Sequence, residues 1–229
     1  MSTWAFSDIH GNYNLWKQIQ KYCALDDTII FLGDAIDRGK DGIKIMQEMF
    51  DDSRIIYLIG NHEELFLDYI KDIPLAFTTQ KSVLTHNQSY KTLKDYEKLS
   101  LQEQNTLIYN LKVKTAYKTL YINKDNKKIL LCHSRIDYND ILSDNKDLFI
   151  WNRNHINTFK WQGPEDYYII HGHTPIPALR PNRTKILKYC NNHKIDIDMG
   201  CFVTHMTALI NLDTFEVIYF KEQKEAING

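Results

Sequence analysis

The 229-residue sequence is poor in proline and glycine, with five and nine respectively, and contains no Pro/Gly/Ser-rich stretch able to act as a linker. Two independently folding halves are therefore not expected; a single domain over residues 1–229 is, because a chain this long can enclose one sizeable core. Its four cysteines, Cys23, Cys132, Cys190 and Cys201, lie far apart and form no Cys-x-x-Cys pair. That spacing excludes a zinc knuckle and a dithiol redox motif, and it suits reduced thiols in a cytoplasmic protein. No apolar run approaches the ~18 residues of a membrane span. The start, Met1-Ser2-Thr3-Trp4-Ala5-Phe6, has neither the basic residues nor the apolar segment of a secretory signal. A formal net charge of −1 argues against a nucleic-acid partner, and the basic stretch Lys124-Asp125-Asn126-Lys127-Lys128 is short and mixed enough to be a solvated turn. There is no internal repeat and no low-complexity segment.

What the chain does have is a series of short apolar runs, each ending in a polar turn. Thr28-Ile29-Ile30-Phe31-Leu32 is β-branched and aromatic without polar alternation, as in a strand buried on both faces. It runs into Gly33-Asp34-Ala35-Ile36-Asp37-Arg38-Gly39, where two carboxylates and a guanidinium follow directly. Taken alone, that heptad is either chemistry at a strand end or an Asp-rich turn with a surface ion pair. The pattern recurs. Trp4 to Ser7 leads into Asp8-Ile9-His10-Gly11-Asn12, and Arg54 to Ile59 leads into Gly60-Asn61-His62-Glu63. Helical spacing at Leu15, Trp16, Ile19 and Tyr22 or Cys23, and again at Ile43, Ile45, Met46 and Met49, connects these strands as parallel βαβ units.

Leu65, Phe66, Tyr69 and Ile70 continue as helix, and a helical insertion is expected over about 74–111, with a capping box at Ser100-Leu101-Gln102-Glu103. A hairpin follows from Tyr117 to Ile122 and Lys128 to Cys132, and further strands are expected at Tyr167–Ile170, Lys194–Ile197, Met206–Leu212 and Glu216–Phe220. The second half reads as mostly antiparallel. The fold class is α/β: a two-sheet β-sandwich flanked by helices, with mixed parallel and antiparallel strands.

The polar residues at the strand ends are Asp8, His10, Asp34, Asn61, His62, His133 and His173. Carboxylate, imidazole and amide without thiolate suit Mn²⁺, with Fe or Zn²⁺ also compatible. A carboxylate can bridge two such cations, and a pair ~3.5–4 Å apart generates hydroxide near neutral pH and clamps an in-line phosphoryl displacement.

These motifs, in this order, resemble those of the calcineurin-like metallophosphoesterases, and specifically the phosphoprotein phosphatase type found in small bacterial and phage enzymes. The family's DxHG is matched by Asp8-Ile9-His10-Gly11, its GDxxDRG by Gly33 to Gly39, its GNHE by Gly60 to Glu63, and its later histidines by Cys132-His133-Ser134 and Gly172-His173-Thr174. Ile150-Trp151-Asn152-Arg153 is similar to the Trp-x-Arg segment of small members. The resemblance runs from Asp8 to about Gly200.

It implies two divalent metal ions, one on Asp8 and His10, the other on Asn61, His133 and His173, with Asp34 bridging. Arg38 and Arg153, with Asn61 beside them, would bind the substrate phosphate. His62 would protonate the leaving oxygen, with Asp37 orienting its imidazole. The implied activity is hydrolysis of phosphomonoesters, phosphoserine and phosphothreonine in proteins first, through in-line attack by a metal-bridging hydroxide. The enzymatic alternative is a dinucleoside-polyphosphate hydrolase. The non-enzymatic one is a metal-binding protein-interaction scaffold, although such a scaffold usually lacks a ligand or the general acid and none is missing here.

His171 is read as hydrogen-bonded to a ligand or as a core histidine, and Asp198, in a segment resembling IDxG, as a supporting residue or an ordinary strand residue. His86, His155, His193 and His205 match no motif. Ser7 stands where glycine commonly precedes the first motif, Ala35-Ile36 are unusual within the second, and Ser134-Arg135 depart from the sequences frequent after that histidine. None of these removes a ligand, but substrate contacts near Ser134 are expected to differ.

Overall fold

The computed structural model describes residues 1–71, 87–153 and 160–222. Strand β1 (Thr3–Phe6), helix α1 (Tyr13–Tyr22), β2 (Thr28–Phe31), α2 (Gly42–Asp51), β3 (Ile55–Leu58) and α3 (Asn61–Lys71) alternate as the apolar periodicity predicts. β1, β2 and β3 pair in parallel, with Phe6 opposite Phe31 and Phe31 opposite Tyr57. This register lines up a row of aromatic rings, Phe6 to Phe31 at 4.8 Å and Phe31 to Tyr57 at 4.9 Å. Trp16 of α1 stacks on Phe6, and Phe50 of α2 stacks on Tyr57, so the same row docks both helices.

The opposite face of these strands is equally apolar, which explains the absence of alternation. Ala5, Ile30, Leu32 and Leu58 pack against Ile129, Leu131, Ile170 and Ile195 of a second sheet. The outer face of that sheet carries a third cluster built on Leu130, Cys132, Phe149 and Ile169. Both sheets are thus covered on both faces.

Beyond α3 the described chain resumes at residue 87 and forms α4 (Tyr90–Glu97) and α5 (Leu101–Val113). α5 starts with the expected capping box, Ser100 Oγ accepting from Glu103 N and the Glu103 carboxylate accepting from Ser100 N. The part of the expected helical insertion over 74–86 lies outside the described residues. The strands that follow are β4 (Thr115–Ala116), β5 (Lys118–Ile122), β6 (Lys128–Cys132), β7 (Tyr167–His171), β8 (Leu187–Tyr189), β9 (Lys194–Asp196), β10 (Met206–Asn211) and β11 (Val217–Lys221).

The first sheet runs β11-β10-β1-β2-β3-β4 and the second β5-β6-β7-β9-β8. The pairings of the second half are mostly antiparallel, as expected, except at the centre of the second sheet. β6–β7 and β7–β9 pair in parallel, and only β5 and β8 at the edges are antiparallel to their neighbours. β10 and β11 return to the first sheet, β10 pairing antiparallel with β1. A long excursion between β6 and β7 allows the crossover that parallel pairing requires, and no local pattern announces it.

The aromatic row is where the first sheet is joined to α1 and α2, and Phe31 at its centre is fully buried. Phe31→Ala should cost about 3–5 kcal/mol of unfolding free energy, measured by urea denaturation; a loss below about 1 kcal/mol would mean that the row does not hold the sheet to its helices.

Candidate active site

Parallel strands bring their carboxyl ends to one edge, and both sheets do so here. Asp8 and His10 follow β1, Asp34 follows β2, Asn61 and His62 open α3 after β3, His133 follows β6, and His173 follows β7. All seven side chains are buried to within a few per cent. Six residues at this edge, Asp8, His10, Asp34, Asp37, Arg38 and His173, have left-handed backbone with φ between 42° and 72°. For residues other than glycine such conformations are uncommon and store strain of about 1–3 kcal/mol each, which the surroundings must offset.

The neighbouring glycines explain how the turns can approach so closely. A Cβ on Gly60 would come 2.2 Å from Asp34 Oδ1, and one on Gly172 would come 2.1 Å from Asp8 Oδ2. Glu63 holds the centre together. Its carboxylate accepts from the backbone N–H groups of Asp34, Ala35 and Gly60 at 2.9, 2.7 and 2.9 Å. The sequence motif contains Glu63, but a role inward of the site is visible only in the folded chain.

Asp34 Oδ2 lies among three imidazole nitrogens: 3.4 Å from His133 Nε2, 3.7 Å from His62 Nε2 and 3.8 Å from His10 Nε2. His10 and His133 each donate from Nδ1 to a main-chain carbonyl, Ile36 at 2.9 Å and Leu32 at 2.8 Å, which aims Nε2 into the site. Asn61 Oδ1 is 3.0 Å from His133 Nε2 and 2.8 Å from His173 Nδ1. Asp8 Oδ2 accepts from His173 N, while Asp8 Oδ1 and His173 Nε2 are buried with no hydrogen-bond partner among the described residues.

Two compact donor sets result, His10 with Asp34 and His62, and Asp34 with His133 and His173, their donor atoms all within 4.8 Å of one another in each. Asp34 belongs to both. Buried carboxylate and imidazole donors converging on one small volume, one of them shared, fit a pair of divalent cations. His62 enters the first set by position, although its Nδ1 is committed elsewhere.

His62 Nδ1–H donates to Asp37 Oδ2 at 2.6 Å, and Arg38 donates to His62 Nε2 at 3.2 Å and to His10 Nε2 at 2.9 Å. The Arg38 guanidinium also lies over the Phe202 ring, 4.2 Å from its centroid. Arg153 is exposed, and its charge is felt at His173. The backbone just before Arg153 is fixed by Asn152 N donating to Ser134 Oγ at 3.1 Å, so the unusual Ser134 anchors the arginine's segment.

His171 donates from Nδ1 to the Gly172 carbonyl and accepts at Nε2 from Tyr189 Oη; it touches none of the expected ligands and is a core histidine. Asp198 accepts from Gly200 N through Oδ1 and lies near enough to Asp8 for the two charges to repel. His193 is stacked on Trp161 and Tyr168, His205 donates to Glu222, and His86 and His155 lie outside the described residues.

The electrostatics follow from burial and crowding. Burial opposes ionisation of Asp34, yet His133 and His62 hold its carboxyl well below the usual range. Burial, with repulsion from Asp34, pushes Asp8 up to about 7 against the pull of His133. His133 loses solvation too, but Asp34, Asp8 and Glu63 push it up to about 10. Burial and the neighbouring charges of His133 and Arg153 push His173 down to about 2. Burial also works against charge on His62, and there Asp34 and Asp37 prevail and raise its pKa.

Buried carboxylates and imidazoles at the common edge of two packed sheets, with two arginines nearby, are the working parts of a phosphoester hydrolase. The chain belongs to the calcineurin-like phosphoesterase family, whose pattern matches residues 1–206. It is 26% identical over 198 residues to an asymmetrical bis(5'-nucleosyl)-tetraphosphatase of Oceanobacillus iheyensis, covering 79% of this chain and 72% of that protein. It is 27% identical over 161 residues to serine/threonine-protein phosphatase 2 of Salmonella typhimurium, covering 67% of this chain and 68% of that protein. A solved structure proposed to be a diadenosine tetraphosphatase superposes with a TM-score of 0.64 at 14% identity, covering 95% of this chain and 92% of that one. The likeness to that structure is one of fold. Among the described residues no helix is long and apolar enough to cross a membrane.

Proton and cation would compete for the same atoms if Asp8 and His133 are ligands, as the resemblance implies. Burial pushes Asp8 up to about 7 and the surrounding carboxylates push His133 up to about 10, so a cation held there would displace protons and bind more tightly as the pH rises. Affinity for Mn²⁺ measured by calorimetry should rise roughly tenfold per pH unit above neutrality and more steeply below it, one proton being released in the first range and two in the second. An affinity unchanged between about pH 6 and pH 8 would contradict the assignment of these two residues to the cation site.

Proposed function

We propose that this chain is a dimetal-dependent phosphomonoesterase whose substrates are phosphoserine and phosphothreonine in proteins. The observation that carries the reading is the His62–Asp37 pair, whose imidazole Nε2 lies 3.7 Å from Asp34, the carboxylate common to both donor sets. Asp8 and His10 would hold one divalent cation, Asn61, His133 and His173 the other, and Asp34 both. Such cations, with Mn²⁺ the first candidate, lower the pKa of water and neutralise phosphoryl charge.

The remaining work falls to the protein. Arg38 lies beside His10 and the charge of Arg153 is felt at His173, so a phosphoryl group held between the two donor sets would meet both planar forks. As negative charge builds on the equatorial oxygens, both guanidinia gain more from the transition state than from the ground state. Once Arg38 turns from His62 Nε2 to the phosphoryl oxygens, Nε2 can carry a proton and give it to the departing serine or threonine oxygen, a poor leaving group when unprotonated. Asp37 fixes the ring through Nδ1–H and keeps the acid form populated at higher pH, consistent with the upward shift of His62.

A second reading has its own support. The relative from Oceanobacillus iheyensis is named for a dinucleoside tetraphosphate and is matched over more of both chains. Beside His10, moreover, lies an open cavity of about 810 Å³ bordered by Arg38, Lys40, Lys221 and Phe202, with Asp41 and Glu222 also on its wall, which offers cations and an aromatic ring to a polyphosphate with a base. The scaffold reading has no comparable observation, since every ligand and the acid are present.

Two measurements bear on these readings. With metal-loaded protein, a phosphothreonine peptide should be hydrolysed with a higher kcat/KM than diadenosine tetraphosphate; the reverse order would transfer the assignment to the dinucleotide. His62→Asn should slow phenyl phosphate by roughly 10²–10⁴-fold and leave dinitrophenyl phosphate nearly unchanged, because only the first needs a proton in the transition state. Equal slowing of both would remove His62 from the role of general acid.

A further inference from the structure

Asp37 is buried, with only 3% of its surface exposed, and its carboxylate is shared by more than His62. Thr92 Oγ1 donates to Asp37 Oδ1 at 2.8 Å and accepts from Asp37 N at 3.1 Å, closing a ring of two hydrogen bonds with one side chain. Ser89 Oγ donates to Asp37 Oδ2 at 2.8 Å, the same oxygen that receives His62 Nδ1–H. Both hydroxyls come from α4, more than fifty residues further along the chain and outside every recognised motif.

The placement of Ser89 is informative. It occupies the N-cap of α4, where a serine ordinarily accepts from an amide of the first turn, yet its side chain makes no capping bond. A cap is worth about 1 kcal/mol, and here the hydroxyl serves Asp37 instead. Thr92 bears on a second constraint. Asp37 and Arg38 are consecutive left-handed residues, φ 66° and 63°, and the bond from Asp37 N to Thr92 is the side-chain tie on this strained pair. α4 is itself held to the core through Leu93 and Tyr96, the latter edge-on to Phe66 of α3 at 5.2 Å. α3 carries His62, so one helix braces both partners of the pair.

We propose that Ser89 and Thr92 are positioning residues for leaving-group protonation. They fix the rotation of the Asp37 carboxylate, so that Oδ2 meets His62 Nδ1–H in line and His62 Nε2 faces the reacting phosphoryl group. The proposal rests on the reading of His62 as general acid. Without the two hydroxyls Asp37 loses two of its three side-chain donors, the imidazole gains rotational freedom, and proton transfer to the leaving oxygen is misdirected. Neither hydroxyl touches the phosphoryl group or a cation ligand, and Ser89, which bonds only the Asp37 carboxylate and leaves the backbone tie beneath Arg38 intact, separates protonation from any shift of Arg38.

The test compares Thr92→Val, which keeps shape and removes both bonds, Ser89→Ala, which removes one, and Thr92→Ser, which keeps the hydroxyl. kcat and KM are measured on Mn²⁺-loaded protein with phenyl phosphate and with dinitrophenyl phosphate, and His62→Asn is run alongside. Thr92→Val should lower kcat for phenyl phosphate by roughly 10–100-fold, with less than about threefold change for dinitrophenyl phosphate and an unchanged KM. Ser89→Ala should show the same pattern more weakly, and Thr92→Ser should stay within about twofold of the parent.

If His62→Asn discriminates between the two esters while Thr92→Val and Ser89→Ala slow both alike, or neither, the proposal is overturned and the general acid stands. If His62→Asn itself fails to discriminate, both fall. Should Thr92→Val not fold, as judged by urea denaturation, Ser89→Ala decides by the same criterion.

Discussion

The Glu63 carboxylate accepts from the backbone N–H groups of Asp34, Ala35 and Gly60, and the geometry of the whole site depends on that grip. Each buried N–H left without an acceptor costs about 1–3 kcal/mol, so the three together are comparable with the entire net stability of an ordinary domain, about 5–15 kcal/mol. Glu63 is fully buried, and burial and the nearby Asp34 raise its own pKa. The chain accepts this because the turn after β2 must hold Asp34 in left-handed backbone with its carboxylate facing three imidazoles. Were the turn to relax, the shared position of Asp34 between the two donor sets would be lost with it.

Topology supplies the second condition. In a parallel sheet every strand offers its carboxyl end to the same edge, whereas in an antiparallel sheet alternate strands offer it to opposite edges. His133 follows β6 and His173 follows β7, and only the parallel pairing of these strands puts both rings beside Asp8, Asp34 and Asn61 from the other sheet. Antiparallel order at the centre of the second sheet would carry one histidine the full length of a strand away. The antiparallel strands sit where this does no harm, at the edges and in the return of β10 and β11.

The apolar runs and the polar turns after them are local patterns, and the strands before Asp8, Asp34 and Asn61, with their connecting helices, were legible from period and composition alone. The grouping of Asp8, His10, Asp34, Asn61, His62, His133 and His173 was legible only through the order of the motifs, since nothing local relates His173 to Asp8 across 165 residues. Three features had an incomplete local signal or none. The left-handed backbone falls on aspartate, histidine and arginine as well as on Gly11 and Gly33, so glycine marks only part of it. The pairing β6–β7–β9 depends on long crossovers. Glu63, Ser89 and Thr92 act on residues already recognised, and a buried hydroxyl that supports a carboxylate looks in sequence like any helix serine or threonine. His171 shows the converse: spacing two residues before a ligand suggested involvement, but its ring turns to Tyr189 instead.

Burial also divides the site by purpose. The residues that would hold cations and move protons are almost wholly enclosed at strand ends and locked by main-chain bonds. Those that would meet the rest of a substrate, Arg153, Phe202, Lys40 and Lys221, are exposed and carried on turns or edges. Exposed side chains can change without disturbing the core beneath them, because their loss leaves no buried group unpaired. A fold divided this way permits one phosphoryl-transfer machine to serve a phosphopeptide or a dinucleotide according to a few surface residues, and relatives of this chain carry names of both kinds at nearly equal identity. On the reading proposed above, the choice of substrate would be decided at the rim, by whichever of Arg153 on the His173 side and the Phe202 cavity on the His10 side gives the leaving group its larger share of contact.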